Sequence, residues 1–263
     1  MLPTFSTLKL EKPQPEILQV TLNRPSVRNA IDSNMMKDLR ALWQALYVDA
    51  EKARCVILTG EGEKAFCAGA DLKERNNLDV ETWKSQHAIL EEAMMAMVQC
   101  PIPIIAAVNG YAFGGGLELV LASDFAYASI HATFAFPETK IGIIPGAMGT
   151  QNLPRSCGVR RAKEICFTGS PFSAVEALNW GIVNKLSEPH QLLSDVLSVA
   201  LLISEKAPLA TRQVKKALNA SQPDLLSGYQ FEIEAYNLLI PTRDRLEGVQ
   251  AFNEKRKPKF TGN

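Results

Sequence analysis

Histidine is scarce: three residues among 263, at positions 87, 131 and 190, with no metal-ligand spacing between them. A histidine-built metal or hydrolase site is therefore not expected, and all three read as surface or internally satisfied side chains. The five cysteines (55, 67, 100, 157 and 166) are scattered and form no CxxC pair, which argues against a zinc framework and for reduced thiols in a reducing compartment. Charge of one sign is also lacking. Lys+Arg and Asp+Glu both number 28, whereas a dedicated nucleic-acid binder carries a basic excess. No GxxxxGK[ST], GxSxG or HExxH occurs. The longest nearly uncharged stretch, residues 93–116, contains Pro101, Pro103, Asn109 and several glycines, so it does not read as a membrane span. No basic segment followed by an apolar run opens the chain, and a cytoplasmic protein is expected.

What remains is the composition of an ordinary folded chain, 46% hydrophobic and 21% charged, which excludes a disordered one. A chain of this length buries about three quarters of its unfolded surface. Residues 16–23 (EILQVTLN) alternate apolar and polar and predict a strand. Asp32 or Ser33 can cap the next helix, in which Met35, Met36, Leu39, Leu42, Trp43 and Leu46 recur at helical spacing. Residues 55–59 (CVILT) and 103–109 (PIIAAVN) read as buried strands, with a polar helix over 80–98 between them. Residues 117–122 form an apolar helical run, and 125–128 and 132–136 read as short strands. After residue 173 the pattern is mainly helical (192–206, 209–220, 225–239 and 243–254), with one short strand near 181–186. Strands alternate with helices in the first two thirds and helices fill the last third, an α/β core with a helical C-terminal part. Residues 167–173 are the boundary this pattern favours, giving 1–170 as the core and 171–263 as the helical region.

Gly60-x-Gly62-x-x-Ala65 follows a strand and superficially matches a dinucleotide fingerprint. That motif must open a helix, but Phe66-Cys67-Ala68-Gly69 continues as irregular chain, so the match is rejected. Gly114-Gly115-Gly116 is more informative. A glycine turn opening a helix leaves backbone N–H groups free for a ligand, and the helix dipole favours negative charge there. From the glycines alone, a turn required only for packing is as good a reading. Glu118 shifts the balance, because a carboxylate inside the apolar turn Leu117–Leu121 reads as buried and in need of a partner or a function. Glu138 follows the strand ending at Phe136, at a strand end of the kind that carries catalytic groups, although an exposed loop glutamate is the favoured reading of that residue alone. Residues 66–73 (FCAGADLK) form a second turn of small residues, with a helical stretch expected after it. The basic run Lys255-Arg256-Lys257-Pro258-Lys259 reads by itself as a solvated tail.

Together these segments resemble the enoyl-CoA hydratase/isomerase (crotonase) family. The matching pieces are Asn23-Arg24-Pro25 with Asn29-Ala30, FCAGADL at 66–72, AAVNGYAFGGGLE at 106–118, Pro137-Glu138, Pro145-Gly146 and Thr150-Gln151, in the family's order and spacing. FCAGADLKER at 66–75, ETK at 138–140 and RDRLEGVQAFNEKRKP at 243–258 resemble the AU-binding, methylglutaconyl-CoA hydratase branch. The resemblance implies a spiral of ββα turns whose C-terminal helices form a homotrimer, commonly a dimer of trimers. It implies an acyl-CoA substrate and no cofactor beyond the coenzyme A that the substrate carries. It assigns the oxyanion hole to the N–H groups of Ala70 and Gly115, the acid/base pair to Glu118 and Glu138, and help in holding the catalytic water to Gly146. The CoA- and substrate-binding set it implies is Arg28, Ala30, Ala68, Ala70, Asp71, Leu72, Gly115 and Lys255.

The sequence departs from the family at Pro145-Gly146-Ala147-Met148-Gly149-Thr150-Gln151-Asn152, where GGGGTQR is frequent. It also lacks the lysine-rich first helix of the AU-binding branch: residues 32–52 carry Lys37, Arg40 and Lys52 against Asp32, Asp38, Asp49 and Glu51. The function expected is hydration of 2-enoyl-CoA thioesters. An enoyl-CoA isomerase or a methylglutaconyl-type hydratase is the alternative, and an RNA-binding protein with residual hydratase activity or an idle acyl-CoA binder is less favoured. Residues 74–85 should wall the acyl pocket but carry no readable specificity code.

Overall fold

The computed structural model describes residues 3–50, 52–76, 78–220, 238, 242–244, 247–248, 251 and 254–263. Its elements are β1 (Leu8–Gln14), β2 (Ile17–Leu22), α1 (Ser33–Val48), β3 (Cys55–Gly60), β4 (Ala65–Cys67), α2 (Val80–Gln99), β5 (Ile104–Val108), β6 (Tyr111–Phe113), α3 (Gly115–Ala122), β7 (Phe125–Ser129), β8 (Thr133–Ala135), α4 (Gly149–Thr168), β9 (Phe172–Ser173), α5 (Ala174–Asn179), β10 (Lys185–Ser187), α6 (Leu192–Ser204) and α7 (Pro208–Ala220).

The strands form two sheets, ordered β1-β2-β3-β5-β7-β10 and β4-β6-β8-β9. The pairs β1–β2 and β8–β9 are antiparallel and the rest are parallel. The units β3-β4-α2, β5-β6-α3 and β7-β8-α4 each place one strand in the first sheet, the next in the second, and then a helix. This is the repeating ββα turn implied by the resemblance. Two strands beyond residue 170, β9 and β10, join the sheets as well.

Burial follows from the parallel topology, which covers both faces of the larger sheet. Along β3 the side chains alternate. Val56 and Leu58 enter the main core with the α1 face of Met35, Met36, Leu39, Leu42, Trp43 and Leu46, while Cys55 and Ile57 meet Leu192, Val196 and Ala200 of α6. In β5, Ile104, Ala106 and Val108 face one way and Ile105 and Ala107 the other. Each fully buried Val, Leu or Ile contributes about 1.5–3 kcal/mol. Asp32 caps α1 by accepting from Met35 N at 2.8 Å.

Three expectations change. Residues 72–76 form a turn rather than a helix, and α2 starts at Val80, where Asp79 accepts from Thr82 N at 2.8 Å. Helix α4 is unanticipated, since Pro154 lies inside it and Gly158 breaks it at φ 77° and ψ 155°. Strand β1 is also new: it is an edge strand with mostly exposed side chains, so it lacks a buried pattern. The helix expected over 225–239 lies almost wholly outside the described residues, and the one over 243–254 falls only partly within them.

Candidate active site

The Asn23–Ala30 motif is a turn locked by its own asparagine. Asn29 is fully buried. Its Oδ1 accepts from Arg24 N at 3.0 Å, and its Nδ2 donates to the carbonyls of Glu61 at 3.0 Å and Ala65 at 2.9 Å. The chain leaving this turn pairs with the FCAGADL segment. Ile31 N donates to Gly69 O at 2.8 Å, and Asp71 N donates to Ile31 O at 2.9 Å. In a parallel bridge of this kind, the residue between the two bonded neighbours turns its own N–H to the opposite side. That residue is Ala70, and the opposite side is the glycine turn.

Gly114 sits at φ 52° and ψ −122°, a conformation that only glycine adopts readily. Its carbonyl accepts from Glu118 N at 3.0 Å and starts the α3 ladder, which leaves the N–H of Gly115 without a partner inside the helix. The two backbones run close together: a Cβ placed on Gly69 would lie 3.5 Å from Gly115 N, and one on Gly115 would lie 4.0 Å from Ala70 N. Ala68, Gly69, Ala70, Gly114 and Gly115 line one cavity together with Glu118, Glu138 and Gly146.

The two glutamates enter this cavity from different elements and under different conditions. Glu118, on the first turn of α3, is 3% exposed. Its Oε1 accepts from Ala147 N at 2.7 Å and Gly149 N at 3.0 Å. Burial pushes its carboxyl above the usual range, and these two N–H donors work against that shift. Glu138 opens the short 3₁₀ turn Glu138–Ile141 after β8 and is 8% exposed, so it is buried rather than an exposed loop residue. Among the described residues its Oε2 has no hydrogen-bond partner. Burial, with the Glu118 charge adding to it, pushes its carboxyl up to about 7. The geometry therefore holds one carboxyl against two fixed donors and leaves the other inclined to keep its proton, in a cavity that Ala70 and Gly115 also line.

A match to the sequence model described as enoyl-CoA hydratase/isomerase spans residues 12–263. The chain is 44% identical over 244 residues to the Bacillus subtilis protein YngF, named as an enoyl-CoA hydratase/isomerase, covering 92% of this chain and 94% of that one. It is 38% identical to the short-chain-enoyl-CoA hydratase of Clostridium acetobutylicum, covering 94% and 95%. The crystal structure of an enoyl-CoA hydratase from Bacillus anthracis superposes with a TM-score of 0.95 at 42% identity, covering 98% of this chain and 100% of that one. The chain belongs to the enoyl-CoA hydratase/isomerase family.

The remaining candidate residues of this hydratase/isomerase are distributed unevenly. Leu72 is half exposed and lines the cavity. Asp71 lies beside it but is engaged elsewhere: its Oδ2 is 3.1 Å from Arg24 Nη1, and its Oδ1 accepts from Lys73 N at 3.2 Å. Arg24 also pairs with Asp32 at 3.2 Å and donates to Ala30 O at 2.6 Å, so its charge is used within the fold. Arg28 is exposed, at φ 56°. Lys255 is exposed too, and neither it nor Arg28, Ala30 or Asp71 lines the cavity. In the basic run, Arg256 is paired with Glu247 and Glu254, and Lys257 with Glu205 at 3.5 Å. Of the departing residues, Met148 adopts φ 74° between the two amides that hold Glu118. Neither Met148 nor Asn152 lines the cavity.

Arg75 lies in the 74–85 segment expected to wall the acyl pocket, though the sequence does not single it out, and His87, a second polar residue of the cavity wall, was missed. His87 is not an ordinary surface histidine. A Cβ on Gly146 would lie 2.6 Å from its Nε2, and among the described residues its Nδ1 is buried without a partner. The spacing of His87 and the buried Leu90 on α2 could have flagged this face, since both line the cavity. Among the described residues, no cluster of three or more His, Cys, Asp or Glu could hold a metal, and no helix is long and apolar enough to cross a membrane.

Proposed function

We propose that the chain hydrates 2-enoyl-CoA thioesters to 3-hydroxyacyl-CoA, with Glu118 and Glu138 as the acid/base pair. The reading rests on one observation above all: two buried carboxyls in opposed environments line the same cavity as Ala70 and Gly115. Water adding at C3 drives negative charge onto the thioester oxygen as an enolate. Two preorganised N–H donors at a helix start stabilise that charge. Glu118, held by two donors, acts as the carboxylate that orients water and takes its proton. Glu138, pushed up to about 7, carries the proton delivered to C2. One proton is taken and one given, so no net proton is consumed. Gly146 lies next to the amide of Ala147 that fixes Glu118, a position suited to helping hold the water. The substrate supplies coenzyme A, and these steps call on no further cofactor.

The CoA arm, with its phosphates, would be met by exposed Arg28 and Lys255, since Arg24, Arg256 and Lys257 are engaged in ion pairs. Assembly as a homotrimer or a dimer of trimers through the C-terminal region, and a cytoplasmic location, belong to the same proposal. Isomerisation is the nearest alternative, because a single carboxylate can relay a proton between carbons. The retained Glu118, aimed into the cavity beside Glu138, favours hydration. RNA binding is disfavoured, since Arg40 on α1 already pairs with Glu92 and nothing in that helix supplies a basic stripe. The test is a steady-state screen of crotonyl-, hexenoyl-, decenoyl- and methylglutaconyl-CoA, following the absorbance of the conjugated thioester. Loss of absorbance supports hydration. A shift of the double bond without water addition would favour the isomerase, and no turnover of any of the four would overturn the proposal.

A further inference from the structure

The place of Ala70 depends on a very short pairing. The parallel bridge between Ile31 and Ala70 stands outside both sheets. Backbone bonds from Ala68 N to Arg28 O at 3.0 Å, from Ile31 N to Gly69 O at 2.8 Å and from Asp71 N to Ile31 O at 2.9 Å carry it. A two-stranded pairing of this size is marginal by itself, and just beyond it the chain turns away over residues 72–76. A donor to a developing charge has to be held in place before the reaction, and a misplacement of about 1 Å can cost about 10²-fold in rate. The far end of the bridge is clamped by one side chain. Arg24 Nη1 donates to Ala30 O at 2.6 Å and lies 3.1 Å from Asp71 Oδ2, while its Nη2 lies 3.2 Å from Asp32 Oδ2. These contacts grip residues 30 and 32 of one segment and residue 71 of the other, on both sides of the Ile31–Ala70 bridge. Each carboxylate is anchored in turn. Asp32 Oδ1 caps α1 through Met35 N at 2.8 Å, and Asp71 Oδ1 accepts from Lys73 N at 3.2 Å and Glu74 N at 3.4 Å. Side-chain exposures of 21% for Arg24, 14% for Asp32 and 13% for Asp71 set this cluster apart from a solvated surface pair.

We infer that Arg24 and Asp71 are positioning residues for the reaction: their ion pair fixes the N–H of Ala70 toward the thioester oxygen, and neither side chain touches the substrate. This rests on the hydratase reading, in which Ala70 is an oxyanion donor, and adds what holds that donor still. Neither Arg24 nor Asp71 lines the cavity, and both Asp71 oxygens are used inside the fold. The guanidinium suits the task because its planar fork reaches a carbonyl and two carboxylates at fixed angles, whereas the ammonium of a lysine is a point charge on a flexible stem. The bridge bears on the second donor as well. Ile31 Cδ1 lies 3.3 Å from the place a Cβ on Gly115 would take, so slippage at residue 31 changes the gap between the two amides.

The test separates positioning from binding on the full-length protein. Wild type, Arg24→Met, Arg24→Lys and Asp71→Asn are compared for kcat and KM on crotonyl-CoA. Isotope-edited infrared spectra of the same proteins record the carbonyl stretch of butyryl-CoA, labelled with carbon-13 at the thioester carbon, which has no double bond to hydrate. The wild type should lower that stretch relative to free butyryl-CoA, because two amide donors polarise the carbonyl. Arg24→Met should lose at least about 10-fold in kcat with KM changed less than about 3-fold, and should give back much of the infrared shift. Arg24→Lys should fall between the two. The double variant of Arg24→Met with Asp71→Asn should lose little more than the worse single variant, since the pair acts as one device. An unchanged kcat in Arg24→Met, a raised KM with kcat retained, or a kcat loss with the infrared shift intact overturns the positioning role and leaves the hydratase reading standing. A wild type that shifts the carbonyl but hydrates no enoyl-CoA overturns the hydratase reading alone, and one that does neither removes both. Should Arg24→Met not fold, Arg24→Lys and Asp71→Asn, which nearly keep the side-chain volumes, decide by the same two readouts.

Discussion

Replacing Glu138 by glutamine should slow the enzyme and stabilise it, with the stabilisation appearing only at higher pH. The carboxyl is pushed from its ordinary 4.5 up to about 7. The folded protein therefore holds this proton to a higher pH than the unfolded chain does. Between about 4.5 and 7 the folded state binds more protons, so stability falls as pH rises through that window, and above it the full penalty of an ionised buried carboxylate is present. The shift corresponds to about 3 kcal/mol at most, and contact of the cavity with solvent reduces this to about 1–2 kcal/mol. For a chain of this length that is a difference of about 2–4 °C in unfolding temperature. The assay is thermal unfolding of wild type and Glu138→Gln at pH 5 and pH 8. A constant cost of burying the glutamine amide cancels in the comparison, so the variant should gain about 2–4 °C on the wild type between the two pH values. In parallel, kcat should fall by at least about 10²-fold with little change in KM. A stability difference that is the same at both pH values would refute the perturbed carboxyl, and near-normal turnover would refute its role as the acid.

Three further outcomes follow from the geometry. Gly115→Ala keeps its N–H and a helical backbone, but its Cβ would lie 3.3 Å from Ile31 Cδ1 and 4.0 Å from Ala70 N, inside the gap between the two donors. Activity should drop at least about 10-fold with folding retained, and full activity in this variant would argue against a thioester in that gap. Met148→Gly relieves a left-handed residue at φ 74° and should raise stability by about 0.5–1 kcal/mol. Denaturant unfolding checks this, and a loss of stability would contradict it. Lys255→Ala should raise KM several-fold for a CoA thioester and leave a pantetheine thioester unchanged, since only the former carries the nucleotide phosphates. An equal effect on both would remove Lys255 from the phosphate site.

The parts of the fold legible in the sequence are those where periodicity and burial coincide. The six apolar residues of α1 recur at helical spacing and all are buried. The run at 55–59 is continuous because both faces of β3 are covered. Helix α4 was not legible because its signals conflict: Pro154 and Gly158 punctuate it, and few of its side chains are buried. The site divides the same way. Glu118 betrayed itself as a carboxylate in an apolar turn, and the three glycines marked the donor end. Glu138 looked like a loop residue, since the contact that buries it against the Gly114 turn joins segments far apart in sequence. Arg75 falls in the 74–85 segment expected to wall the acyl pocket and does line the cavity, and His87 shares its face of α2 with the buried Leu90, but neither residue by itself marks a site.

In the proposed reaction the amides of Ala70 and Gly115 hold the thioester while two glutamates work on the adjacent carbons. The most direct test is a crystal structure of the protein with a bound acyl-CoA. The thioester oxygen should lie about 2.7–3.1 Å from both nitrogens, with C2 and C3 between the carboxyls of Glu118 and Glu138. A thioester oxygen that meets neither nitrogen, or an acyl chain directed away from the two glutamates, would contradict it.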